Sequence, residues 1–214
     1  MYDFNDMLLY VKEKLESANA IKPDKPHNCF RSRFSHISRV LNWCKRIEDD
    51  FDDLDKDSLY AAAIFHDVGY AYGKKNHANN SADIFTEYGK SHGFTDDYIN
   101  KVVYLIKNHS NKELLKDKNT SHELIILLEA DLLDEEGALG LVWDLLECGM
   151  ENPKSYYDTY FVGIEHSSHI LNQDYMVTKK AKAYWDNKKK IIKEFNKELA
   201  FDLFIEDGKV NGLY

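Results

Sequence analysis

The sequence has little with which to break or staple a chain. Its 214 residues include three cysteines, three prolines and ten glycines. Cys29, Cys44 and Cys148 are odd in number and far apart, and no two form a CxxC pair. That argues against a disulfide scaffold and against a thiolate zinc site. Net positive charge is also missing. There are 28 basic and 37 acidic side chains, for a formal charge of −9. Proteins that track a phosphate backbone carry the opposite sign, so neither a nucleic-acid polymer nor an anionic membrane is expected as a partner. The longest apolar runs, residues 59–65 and 124–128, are too short to span a bilayer. The opening MYDFNDMLLYVKEKLE carries acids early and has no apolar signal-peptide core. These absences make a cytoplasmic location the expectation.

Alternation of period two is nearly absent, and period 3.6 recurs instead. With 43% hydrophobic residues, the chain can bury a core without staples. Phe4, Met7, Leu8, Val11 and Leu15 form one helical stripe, and Phe34, Ile37, Leu41 and Cys44 form another. Pro23 and Pro26 mark residues 21–27 as a linker. After an acidic turn at 48–55, Asp57 or Ser58 is expected to cap a helix through 59–65, with Gly69 as its stop. Residues 70–80 read as a loop. Further helices are expected from Ser81 to His92, after Thr95, after a capping box Thr120-x-x-Glu123, after Asn152-Pro153, and from Thr178 to Glu206. Gly137 marks the end of the capping-box helix. The tail DGKVNGLY reads as loose. The expectation is one all-α domain over residues 1–214 with about eight or nine helices. Its motif-bearing core spans about 30–140 and its C-terminal helices 153–206.

The chemistry starts at His66-Asp67, which closes the apolar run Ala-Ala-Ala-Ile-Phe. Both side chains are costly to bury unless they are paired or bind a metal. Alone, the pair reads first as a capped helix end with a solvated carboxylate. Two other residues change that. His36 flanks the apolar face of the second helix, one turn before Val40. Asp131 follows Leu127 by four residues and Leu128 by three, on a stripe that must be core. A carboxylate there needs a partner. Two imidazoles and two carboxylates suit Mn, Fe, Mg, Ni or Zn and disfavour soft thiophilic sites.

The order His36, His66-Asp67, Asp131 on a helical chain resembles the HD-domain superfamily of metal-dependent phosphohydrolases. Within it, the chain resembles more closely a small bacterial subgroup, the YedJ-like predicted HD hydrolases. The resemblance covers about residues 30–205. It includes Arg33-x-x-His36, His77-x-x-x-Ser81, Ile106-x-x-His109-Ser110, Ala130-Asp131-x-Leu133-Asp134, Gly137-Ala138-x-Gly140 and Met176-x-Thr178. The chain departs from the subgroup in two places: Glu129 stands where its first acid is Asp, and no aromatic follows Ser110.

The resemblance implies an HD-type helical bundle and one or two divalent ions on His36, His66, Asp67 and Asp131. His77 and His109 would hold a second ion with Asp67 bridging, or hydrogen-bond a substrate phosphate, or be ordinary surface histidines. The implied reaction is hydrolysis of a small phosphorylated molecule, a nucleotide or related phosphoester, by metal-activated water. Asp67 would also orient that water, and Arg33 and Lys74 are candidate phosphate clamps. Asp134 would orient a ligand histidine or simply charge the surface. No general acid is evident. The same ligands would serve a di-iron HD oxygenase, and the same fold would serve a metal-containing regulatory module without turnover. Elsewhere, His166 and His169 read as a surface pair. Tyr156, Tyr157, Tyr160 and Phe161 read as helix packing, and the lysines at 188–190 as a solvated face.

Overall fold

A helix that is apolar on every side must be covered on every side, and two such helices form the centre. In the computed structural model these are α3 (Lys56–Phe65) and α6 (His122–Glu135). All side chains from Ala61 to Phe65 are buried, as is every residue from Glu123 to Asp134. Around them stand α1 (Phe4–Ser17), α2 (Arg33–Ile47), α4 (His77–Ser91), α5 (Asp96–Asn108), α7 (Ala138–Met150), α8 (Tyr156–Ser167) and α9 (Lys179–Asp202). α2 packs along both α3 and α6, α4 packs on α5, and α7 packs on α8. The structure describes residues 2–18, 32–150, 155–206 and 209–210, with the side chains of 164–166 and 210 excepted. The linker at 21–27, Cys29, the Asn152-Pro153 cap and the side chain of His166 lie outside the described residues. No described helix is long and apolar enough to cross a membrane.

The all-α architecture and both N-terminal stripes are as expected, and Thr95 and Thr178 cap α5 and α9. Several boundaries differ, each for a local reason. Asp55, rather than Asp57 or Ser58, caps α3 by accepting the Ser58 N–H at 3.1 Å. Ser121, not Thr120, caps α6. The Thr120 hydroxyl instead donates to the Leu114 carbonyl at 2.6 Å, and Glu123 accepts the Asp55 N–H at 3.0 Å. The expected capping box is therefore spent on tying two loops together. α3 stops at Phe65, before Gly69, and a 3₁₀ turn Val68–Tyr72 follows. α4 begins at His77 rather than Ser81, behind Asn76 in the left-handed region at φ 63°.

The end of the chain also differs. α9 stops at Asp202, and Ile205–Glu206 pairs antiparallel with Lys209–Val210, so part of the tail is a small hairpin. Ala181, Trp185 and Ile192 are the residues α9 buries. Lys188 is half-buried rather than solvated, because its ammonium donates to the Glu136 carbonyl at 2.8 Å. Tyr156 and Phe161 are exposed, against the expectation of packing. Glu129 is fully buried and faces α9, where its carboxylate accepts the N–H and hydroxyl of Thr178 at 2.9 and 2.7 Å and also the N–H of Val177. The acid that departs from the subgroup pattern thus fastens α6 to the start of α9.

Candidate metal centre

Three histidines occupy helix ends. His66 caps the C-terminus of α3, His109 caps that of α5, and His77 opens α4. The last carbonyls of a helix lack backbone partners. Imidazoles take two of them: Nδ1 of His66 donates to the Ala63 carbonyl at 2.8 Å, and Nδ1 of His109 to that of Ile106 at 2.7 Å. His77 repeats the three-residue step with the Lys74 carbonyl at 3.2 Å. His36 lies on the buried face of α2 and donates from Nδ1 to Asp134 Oδ2 at 2.7 Å. Asp134 is in turn gripped by Arg39, from Nε at 2.7 Å and Nη2 at 2.9 Å. All four rings are therefore tied at Nδ1 and turn Nε2 the other way, a tautomer and orientation suited to metal ligation.

Those four Nε2 atoms meet at Asp67. Its Oδ2 lies 3.5 Å from His36 and 3.7 Å from His66, and its Oδ1 lies 3.4 Å from both His77 and His109. The Nε2 atoms of His36 and His66 are 3.3 Å apart, and those of His77 and His109 are 3.2 Å apart. Asp131 Oδ1 adds a second carboxylate 3.3 Å from His36 and 4.0 Å from His66. Donors that share one ion at about 2.1 Å stand about 3.0–3.4 Å from one another. Lone pairs crowded at these distances repel unless a cation or proton lies among them. The donor set therefore suits a divalent cation. His36-His66-Asp67 and Asp67-His77-His109 each form a group that could hold a metal, and His36-Asp131-Glu135 forms a third.

Charge is balanced at the rim. Arg33 donates to Asp67 Oδ2 at 2.6 Å while its guanidinium lies 3.7 Å over the Tyr70 ring. Lys74 contributes a carbonyl, and its side chain is exposed. The lysine that reaches the centre is Lys112, donating to Asp131 Oδ2 at 2.6 Å. The structure thus gathers His36, His66, Asp67, His77, His109, Asp131 and Arg33, and it leaves the ammonium of Lys74 outside.

Sequence reasoning missed Arg39, Lys112 and Glu135. Arg39 and Glu135 had a signal: Arg39 follows His36 by the same three residues that separate Arg33 from it, and Glu135 lies one turn beyond Asp131. Lys112 sits in a 3₁₀ turn with no periodicity to reveal it.

Burial and partners pull the titrations apart. Burial pushes His66 down to about 4. Burial also opposes charge on His36, but Asp131 and Asp134 outweigh it and raise that imidazole to about 9. Burial opposes charge on Asp67 too, yet His66, His109 and Arg33 hold its carboxyl well below the usual range.

Gly69 explains how His77 reaches this point. A methyl group at Gly69 would lie 2.1 Å from the His77 carbonyl, and the Gly69 N–H donates to Ser81 Oγ at 2.8 Å. Only a residue without a side chain lets the 3₁₀ turn lie this close to the first turn of α4.

Residues 33–136 match the HD domain. That segment contains His36, His66, Asp67, His77, His109 and Asp131, so the chain carries an HD domain. No curated protein matches the chain. Among solved structures, it resembles a predicted HD superfamily hydrolase from an uncultured Thermotogales bacterium, with 20% identity, 92% of this chain and 91% of that one covered, and a TM-score of 0.60. The Lin1889 protein of Listeria innocua shows 21% identity over 96% and 100%, with a TM-score of 0.64. YpgQ of Bacillus subtilis shows 17% identity over 94% and 95%, with a TM-score of 0.65, and has also been solved in complex with ADP. At these identities the likeness is one of fold.

The remaining histidines whose side chains are described lie elsewhere. His169 is exposed against Glu136 at 3.2 Å, His92 donates to the Tyr88 carbonyl, and His122 pairs with Asp53.

Proposed function

We propose that this chain is a metal-dependent phosphohydrolase acting on a small phosphorylated substrate, a nucleotide or related phosphoester. The observation that carries this reading is Asp67, set between two pairs of inward-facing imidazole nitrogens with a different carboxylate oxygen toward each pair. His36, His66, Asp67 and Asp131 would hold one divalent ion, and Asp67, His77 and His109 a second. A metal held there would supply activated water near neutral pH and would withdraw charge from a phosphoryl oxygen.

The chain's own groups supply the rest. Arg33 and Lys112 are partly exposed cations on the ligand carboxylates, at the edge where a phosphoryl group would arrive. Either can add charge-assisted hydrogen bonds to its oxygens. Tyr70, stacked on Arg33, holds that guanidinium in place. Asp134 and Arg39 fix the His36 ring. The ADP complex of YpgQ supports a nucleotide as the substrate class.

The test is phosphate release from nucleoside mono-, di- and triphosphates and from ribose 5-phosphate. It should be run with chelator and with added Mn, Mg, Fe, Ni or Zn, in air and without oxygen. Release that needs metal, ignores oxygen and disappears in Asp67→Ala is expected. No release with any metal would leave a binding module, and turnover that needs oxygen would point to an oxygenase.

A further inference from the structure

Beside the centre, between α2 and α7, lies a pocket of about 200 Å³. Leu139, Val142 and Trp143 of α7 form its apolar wall, and Ser32, Ser35 and Arg39 of α2 form its polar edge. Asp134 and Glu135 complete the lining, and both also belong to the metal centre. Asp134 accepts the His36 Nδ1–H at 2.7 Å. Glu135 offers a carboxylate oxygen within 4.8 Å of donors on His36 and Asp131. Through these two residues the pocket adjoins the metal centre, on the His36 side of it.

Its size and chemistry narrow what it can accept. Pockets that enclose a whole small ligand run to about 300–1,000 Å³, so this one takes part of a ligand. Leu139 and Val142 are 42% and 52% exposed, so the wall offers open aliphatic surface beside the charged centre. The indole N–H of Trp143 donates to Glu147 one turn on at 2.8 Å, which fixes the ring in the wall. Arg39 is fixed by its two bonds to Asp134. A rigid indole with aliphatic neighbours on one side, facing hydroxyls and a guanidinium on the other, suits a flat heteroaromatic ring with polar edges.

We infer that this pocket seats the base of a nucleotide substrate, with Trp143 as the stacking face and Arg39, Ser32 and Ser35 along the ring edge. The inference rests on the phosphohydrolase reading for the position of the phosphate, and it makes Trp143 a specificity-determining residue.

The test has two arms. In the first, adenosine binding to the metal-free full chain is measured by equilibrium dialysis in chelator, with no phosphate and no chemistry involved. Adenosine should bind. Trp143→Ala should weaken that binding about 10-fold or more, and Trp143→Phe should restore most of it. Val142→Gln, at a half-exposed position that leaves the indole intact, should weaken it as well. No adenosine binding, or equal binding by the wild type and Trp143→Ala, would overturn the inference.

In the second arm, the manganese-loaded chain is compared on AMP and ribose 5-phosphate. Trp143→Ala should reduce the preference for AMP about 10-fold, through KM. If adenosine binds through Trp143 but no phosphoester is hydrolysed, the pocket stands and the phosphohydrolase reading falls. If phosphoesters are hydrolysed but Trp143→Ala changes neither adenosine binding nor preference, the phosphohydrolase reading stands and the pocket assignment falls.

Discussion

The two sides of Asp67 are built differently. On one side, His36 and His66 are 1% and 0% exposed, sit on α2 and at the end of α3, and have Asp131 as a further carboxylate. A chain of hydrogen bonds from Arg39 through Asp134 fixes the His36 ring. On the other side, His109 is buried but His77 is 20% exposed and hangs from the first turn of α4, behind a left-handed Asn76. That side shares Asp67 and has no second carboxylate in its group. For the two-ion centre proposed above, more charge and less freedom on the His36 side predict a tightly held first ion and a more exchangeable second one.

The largest expected effect comes from removing what both sides share. Asp67→Ala should abolish binding of both ions, a greater loss than the about 10–100-fold typical of an outer partner. Calorimetric metal titration checks it. Asp134→Ala removes the support of His36 alone, so affinity on that side should fall about 10–100-fold while the His77 side keeps its own. His77→Ala should do the reverse, losing the weaker ion and leaving the stronger. If either variant weakened both ions equally, the asymmetry would be wrong.

Gly69→Ala acts on the His77 side through the backbone. Its methyl group must push α4 outward, at about 1–3 kcal/mol of stability, read by denaturant unfolding. It should also weaken the second ion more than the first.

The smallest effect is a pH profile of the metal-free chain. His36 is raised to about 9 from an ordinary 6.5, so its contribution is present below pH 6.5 and is lost as pH rises through 9. His66 is lowered to about 4, so stability is lost as pH falls from 6.5 through 4. These two groups together predict a maximum near pH 6.5 in urea unfolding with chelator. His66→Gln should flatten the acid limb alone.

The two sides were also unequally legible in the sequence. Asp131 could be read from burial, since it falls on a stripe that has to be core, and with His36 beside the apolar face of α2 it drew His66-Asp67 into the set. His77 and His109 could not be read that way. They lie at helix ends, where period 3.6 says nothing about direction, and only the resemblance to HD proteins singled them out. The expected start of α4 at Ser81 hid the reason His77 reaches the site, which is the close approach of Gly69. Lys112 was invisible for a similar reason, because a 3₁₀ turn projects side chains without a periodic face. Fold class was easier to read because repeated apolar stripes need no knowledge of neighbours. Of the misplaced caps, Ser121 replaces Thr120 because the Thr120 hydroxyl is bonded to the Leu114 carbonyl, and Asp55 replaces Asp57 because α3 already starts at Lys56.

The most direct measurement is elemental analysis of the purified full chain, alongside Asp67→Ala and His77→Ala. About two equivalents of a divalent transition metal are expected in the wild type, about one in His77→Ala and none in Asp67→Ala. A wild-type chain that takes up no metal even after reconstitution, or an Asp67→Ala chain that keeps its full complement, would contradict a centre built around Asp67.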